Sequence, residues 1–149
     1  GKEMKDTVIL VTRRGMGTSP GASELPVKLI GKYFSLLLEG GDLPAAICFY
    51  TDGVRLTVAG SPVLDSLQAL EARGVRLIIC STCLETFGLA DQVRVGIVGG
   101  MGDIMEAQFK AGKVISRTSA VEVSIQAVSA ASITVSLPHL VRSVWPGPA

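Results

Sequence analysis

Five short apolar runs, set between longer stretches of helical periodicity, restrict this chain to very few folds. The runs are TVILVT (7–12), AAICFYT (45–51), VRLIIC (75–80), VRVGIV (93–98) and KVIS (113–116). They are apolar on both faces, as strands read when layers cover both sides of a sheet. From Ser23 the spacing changes: Leu25, Leu29, Phe34, Leu36, Leu37 and Leu38 recur as on a helix, Pro26 fits its first turn, and Gly40-Gly41 stops it. Val63, Leu64, Leu67 and Leu70 mark a second helix, with Ser61 as N-cap, Pro62 at the first position and Gly74 at the close. The segment 52–62 reads as a connection. A short helix starts near Thr82 and frays by Gly88. After Gly99-Gly100 a last helix carries Met101, Met105 and Phe109 at core spacing, and residues 113–116 read as an edge strand. Strands alternating with helices predict an α/β fold: a three-layer domain with a mostly parallel sheet of about five strands and right-handed crossovers.

That domain is predicted to span residues 1–117. The remainder, 118–149, is almost uncharged and alternates with period two. Val121, Val123 and Ile125 share one face, and Ile133, Val135 and Leu137 can pair with them. The segment reads as a β-hairpin or arm joined by small residues around Ser129–Ser132, in need of cover from its own domain or a second subunit. His139 and Trp145, beside Pro138 and Pro146, bring no general-base constellation with them.

Composition narrows the function classes. With 149 residues, 48% hydrophobic and 18% charged, the chain can bury a real core and is too apolar to be disordered. A net charge of +1 without a basic block argues against nucleic acid or an anionic membrane as partner. No apolar run approaches the roughly 20 residues of a spanning helix. The start, GKEMKD, lacks the apolar core of a signal peptide, so a cytoplasmic location is expected. Three cysteines do not make a disulfide scaffold.

Two of these cysteines stand in VRLIICSTCLETFG, and the strand-to-helix order places Cys80 at the end of a strand and Cys83 in the turn that follows. Ligands of open α/β sheets bind beyond the carboxyl ends of the strands. A thiol at a helix N-terminus meets unpaired N–H groups and the positive end of the dipole, both of which favour thiolate. Cys83 is therefore the predicted exposed nucleophile and Cys80 its buried companion, while Cys48, between Ile47 and Phe49, reads as packing. A zinc site wants four ligands, and only His139 could add a histidine, so no metal and no cofactor are expected. Sulfur carrier, dithiol redox centre and inert packing all stay open.

The same rim collects other candidates. Arg13, Arg14 and Gly15 open a glycine-rich loop after the first strand. The bland reading is a solvated loop. The sharper one is that an arginine lowers the Cys83 pKa or binds an oxyanion such as selenite or thiosulfate. Asp52 follows the second strand and reads either as a turn cap or as a ligand-orienting or proton-transfer group; Thr82 lies between the cysteines. Glu85 reads as a favourable charge in a first helical turn.

Taken together, Thr51-Asp52-Gly53-Val54-Arg55-Leu56, then Leu67-Gln68-Ala69-Leu70-Glu71-Ala72-Arg73-Gly74-Val75, then Cys80-Ser81-Thr82-Cys83-Leu84, resemble the motifs N-x-G-V-x-L, L-x-x-L-x-x-x-G-V and C-G-T-C-L of the DsrE-like domain of the YedF selenium-metabolism proteins. The resemblance runs over about residues 6–116. It implies a DsrE/DsrF-like fold, a homo-oligomer (trimer or hexamer) and sulfur or selenium handling. Cys83 would carry a persulfide or selenosulfide, with Cys80 as its partner. It also implies a cysteine desulfurase or TusA-like carrier as donor. The alternatives are a non-catalytic oligomeric scaffold assembled through the tail and a CxxC dithiol oxidoreductase.

Overall fold

The computed structural model describes residues 4–117, 124–129 and 132–136, with side chains as far as Ser116. In chain order the elements are β1 (Thr7–Val11), α1 (Leu25–Gly40), β2 (Ala46–Phe49), a 3-10 helix (Thr51–Thr57), α2 (Leu64–Ala72), β3 (Arg76–Cys80), α3 (Ser81–Thr86), β4 (Ile97–Gly99), α4 (Met101–Lys110), β5 (Lys113–Arg117), β6 (Ser124–Ser129) and β7 (Ser132–Ser136). The sheet order is β4-β3-β2-β1-β5-β6-β7. The five strands from β4 to β5 are all parallel, and the β6–β7 hairpin adds antiparallel to β5. The α/β prediction holds. The hairpin places Ile125 opposite Val135; Val121, Val123, Leu137, His139 and Trp145 lie outside the described residues.

Every residue of β1 and β2 is buried, which is why these runs show no alternation. The chain steps from β1 to β4 in one direction and then returns past β1 to β5. Right-handed crossovers therefore put α1 and α2 on one face, where they pack together, and α4 on the other. Ile30 and Phe34 dock α1, and Leu67 and Leu70 dock α2. Each such side chain stabilises the fold by about 1.5–3 kcal/mol relative to exposure. Pro26 sits in the first turn of α1, and Gly41, with φ +73°, returns its N–H to the Leu37 carbonyl.

Several expectations are corrected. The second strand ends at Phe49, and a 3-10 helix, Thr51–Thr57, starts inside the run read as strand and fills the first half of the connection 52–62; four of its residues are buried. The second helix begins at Leu64 rather than Pro62, although Ser61 Oγ still accepts the Val63 N–H at 3.3 Å. The fourth strand shrinks to Ile97–Gly99, because Gly96 takes a left-handed φ of +85° against Leu77 and Ile79; Val93 instead bridges Val58. Residues 113–116 are not an edge, since β5 runs between β1 and β6. The expected core stripe of the last helix points outward. Met101, Met105 and Phe109 are 49%, 43% and 75% exposed, while Ile104 and Ala107 make the contact with the sheet. Spacing alone finds a face of a helix, not which face the sheet meets.

Candidate functional site

The carboxyl ends of β1, β2 and β3 deliver three short segments to one rim. Cys80 is the last residue of β3 and is 2% exposed; Cys83 lies in the first turn of α3 and is half-buried. The helical turn brings the two sulfurs to 3.0 Å, with the Cys83 thiol donating to Cys80 Sγ. Cys83 is thus the accessible member of the pair and Cys80 the enclosed one, as the sequence predicts.

The second partner of Cys83 comes from across the rim. The Thr51 N–H donates to Cys83 Sγ at 3.1 Å. Thr51 has φ +47°, a left-handed conformation unusual for a β-branched residue and costing on the order of 1 kcal/mol or more. Its hydroxyl holds it there, sharing its one proton between the Thr12 carbonyl at 2.9 Å and the Tyr50 carbonyl at 2.7 Å. Two residues on, Gly53 is buried directly against the Val11 carbonyl, where a Cβ would collide. The glycine lets the 3-10 helix sit tight on the end of β1 and so carries the Thr51 N–H to the sulfur.

The electrostatics differ from the expectation of an activated thiolate. Burial raises the Cys83 thiol above its ordinary value of 9.0, and the hydrogen bond with Cys80 raises it further; the Thr51 N–H opposes both without prevailing. Neither Arg13 nor Arg14 is among the groups that shift it, and Glu85 is exposed and equally without influence. Cys48, fully buried in β2, is pushed up to about 11 by burial. Alkylation of Cys83 by iodoacetamide is therefore expected to accelerate with pH through a midpoint above 9.0, with Cys48 inert in the native protein. In Cys80→Ala the midpoint moves down, because two of the causes that raise it are gone. An unmoved midpoint would show that the sulfur–sulfur contact does not govern the thiol.

The predicted anion-binding residues separate. Arg13, Arg14, Gly15 and Asp52 line one pocket of about 520 Å³, bounded also by Pro26 and by Arg55. Thr82 does not belong to it. Thr82 is exposed on α3 and contributes its carbonyl to the Thr86 hydroxyl. Asp52 does not cap the turn by its side chain but accepts from Arg55 Nε at 3.0 Å. Arg55 also lays its guanidinium 4.1 Å from the ring centroid of Phe87, which caps the C-terminus of α3. Sequence reading missed Arg55 as a site residue. It stands inside a recognised motif, but only the fold turns it toward both the pocket and the helix of Cys83.

The chain belongs to the DsrE/DsrF-like family, whose model matches residues 5–116, a family associated with sulfur relay. No curated protein sequence matches it. Among solved structures it is similar to the ychN protein from E. coli, with a TM-score of 0.57 and 19% identity over 76% of this chain and 99% of that one. It is also similar to MTH1491 from Methanobacterium thermoautotrophicum, a protein of unknown function, with a TM-score of 0.55 and 21% identity over 74% of this chain and 96% of that one. At these identities the likeness establishes the fold. It does not separate a YedF-like member from other members of the family. Among the described residues, no helix is long and apolar enough to cross a membrane.

Proposed function

We propose that the protein carries sulfur or selenium as a persulfide or selenosulfide on Cys83. The observation that supports this reading best is the half-buried Cys83 sulfur at the carboxyl rim, between Cys80 Sγ at 3.0 Å and the Thr51 N–H at 3.1 Å. The Cys83 thiolate attacks the outer sulfur of a donor persulfide R–S–SH, which leaves as R–S⁻, and Cys83–S–SH forms. A backbone N–H beside the sulfur stabilises the anion whenever the site is deprotonated. Cys80 can then attack the inner sulfur, so that a Cys80–Cys83 disulfide forms and hydrosulfide leaves. A cysteine desulfurase or a TusA-like carrier is the expected donor. Incubation with a cysteine desulfurase and cysteine, followed by intact-mass and peptide mass spectrometry, tests the reading: one added sulfur on Cys83 is the expected result, and an unmodified protein overturns it. A Cys80/Cys83 dithiol that reduces insulin disulfides and is itself oxidised to the Cys80–Cys83 disulfide, with no persulfide formed, would favour the dithiol oxidoreductase instead.

The active assembly is proposed to be a homo-oligomer that covers the β4–α4 edge. Ile97 and Val98 on the terminal strand and Met101, Met105 and Phe109 on the helix are exposed together, a concentration of apolar surface that calls for a partner. The strand also presents an unpaired sheet edge among the described residues. A second copy is the occupant the family resemblance implies. Phe109→Glu is expected to lower the mass measured by light scattering; an unchanged mass would remove this edge from the assembly.

A further inference from the structure

The pocket lined by the loop after β1 and by Asp52 and Arg55 has a composition that the carrier step does not use. Its lining residues include three arginines, Arg13, Arg14 and Arg55, to a single carboxylate residue, Asp52, together with Ser19 and Ser23. Asp52 is occupied by Arg55. Arg13 and Arg14 make no hydrogen bond or ion pair among the described residues. Their loop is held against α1 by the Met16 N–H bonded to the Pro26 carbonyl at 2.8 Å, with Gly15 pressed on Pro26. A second hollow of about 330 Å³ also has Arg14 and Arg55 in its wall, so these two residues line both depressions. Such an excess of unneutralised cation in a concave site attracts and orients anions.

The pocket and the sulfur share the 3-10 helix Thr51–Thr57, although neither Cys80 nor Cys83 lines the pocket. Its lining residue Asp52 directly follows Thr51, whose N–H meets Cys83 Sγ at 3.1 Å. Its lining residue Arg55 stacks on Phe87 at the end of the helix that carries Cys83. Arg55 and Asp52 thus belong both to the pocket and to the elements that surround Cys83.

We propose that this pocket binds a small sulfur oxyanion of the sulfite class, and that the bound anion accepts the sulfur carried by Cys83. The proposal rests on the persulfide reading of Cys83. The sulfite lone pair attacks the terminal sulfur of Cys83–S–S⁻. A new S–S bond forms, the old one breaks, and its electron pair returns to Cys83 as thiolate while thiosulfate leaves. Charge and atoms balance, with no further oxidant or reductant. The arginines answer the specific difficulty of this step, that a dianion must approach an anion.

Two measurements separate the pocket from the carrier reading. Binding is read on the Cys83→Ser protein by titrating thiosulfate and following backbone amide resonances. Saturable, salt-sensitive shifts are expected in residues 13–23 and 51–55, weakened at least tenfold by Arg14→Gln and by Arg55→Gln. Arg14 has no partner among the described residues, so its variant tests the pocket without unfastening the 3-10 helix. Absence of saturable shifts, or shifts elsewhere, overturns the pocket. Transfer is read on the persulfide-loaded native protein by the thiosulfate released on adding sulfite. Arg14→Gln is expected to load sulfur normally and to release it to sulfite at least tenfold more slowly. Equal rates, or transfer to a neutral thiol with none to sulfite, overturn the acceptor role. If the native protein takes up no sulfur, the carrier reading and the acceptor role fall together, while the titration still decides the pocket.

Discussion

A Cys83→Ser protein is expected to take up no sulfur from a desulfurase-generated persulfide, while Cys80→Ser loads and keeps its sulfur longer than the native protein. The asymmetry follows from position. Cys83 is half-buried and open to a donor, whereas Cys80 is 2% exposed and reaches only the sulfur already beside it at 3.0 Å. Loss of the accessible sulfur removes the nucleophile. Loss of the enclosed one removes the internal attack that expels hydrosulfide, so the persulfide persists. Peptide mass spectrometry over a time course reads both effects. Equal loading of Cys83→Ser and native protein would refute Cys83 as the carrier, and faster sulfur loss from Cys80→Ser would refute Cys80 as the resolving group. Because the Cys83 thiol is raised above 9.0, loading of the native protein should quicken as the pH is increased toward that value.

The second large effect is structural. Gly53→Ala is expected to destabilise the protein by about 3 kcal/mol, as overpacking against a fixed backbone does. The new methyl would collide with the Val11 carbonyl and carbon of β1, which is held in the middle of the parallel sheet and cannot retreat. Relief has to come from the 3-10 helix, which would lift from the sheet and draw the Thr51 N–H away from Cys83. Urea denaturation checks the stability, and the alkylation midpoint of Cys83 checks the geometry. The Thr51 N–H lowers that midpoint in the native protein, so its loss should move the midpoint up. A variant with native stability and an unmoved midpoint would show that this close approach does not hold the site together.

The strand-forming runs and the CxxC motif were legible because each is a local pattern with one physical meaning. TVILV and AICF are buried on both faces and show it as unbroken apolar sequence. Cys80 and Cys83 fall at a strand end and in the next helical turn, and that spacing alone brings their sulfurs together. The exposed stripe of α4 was not legible. Met101, Met105 and Phe109 repeat as a core stripe does, and only the sheet's position shows that Ile104 and Ala107 face it instead. Arg55 was equally hidden: Asp52 lies three residues before it in the 3-10 helix, but its other partner, Phe87, comes from the end of α3.

The sequence by itself therefore determined the alternating α/β plan, the rim on which the cysteines lie, and which of the two is exposed. These depend on periodicity, on chain order and on residues close together in the chain. Only the tertiary structure decided what meets Cys83. The Thr51 N–H, the left-handed backbone that aims it and the Gly53 contact that seats it arise where the ends of β1, β2 and β3 converge. The thiol's raised pKa is likewise a product of enclosure by that convergence, and it outweighs the local helix N-terminus from which an activated thiolate was expected.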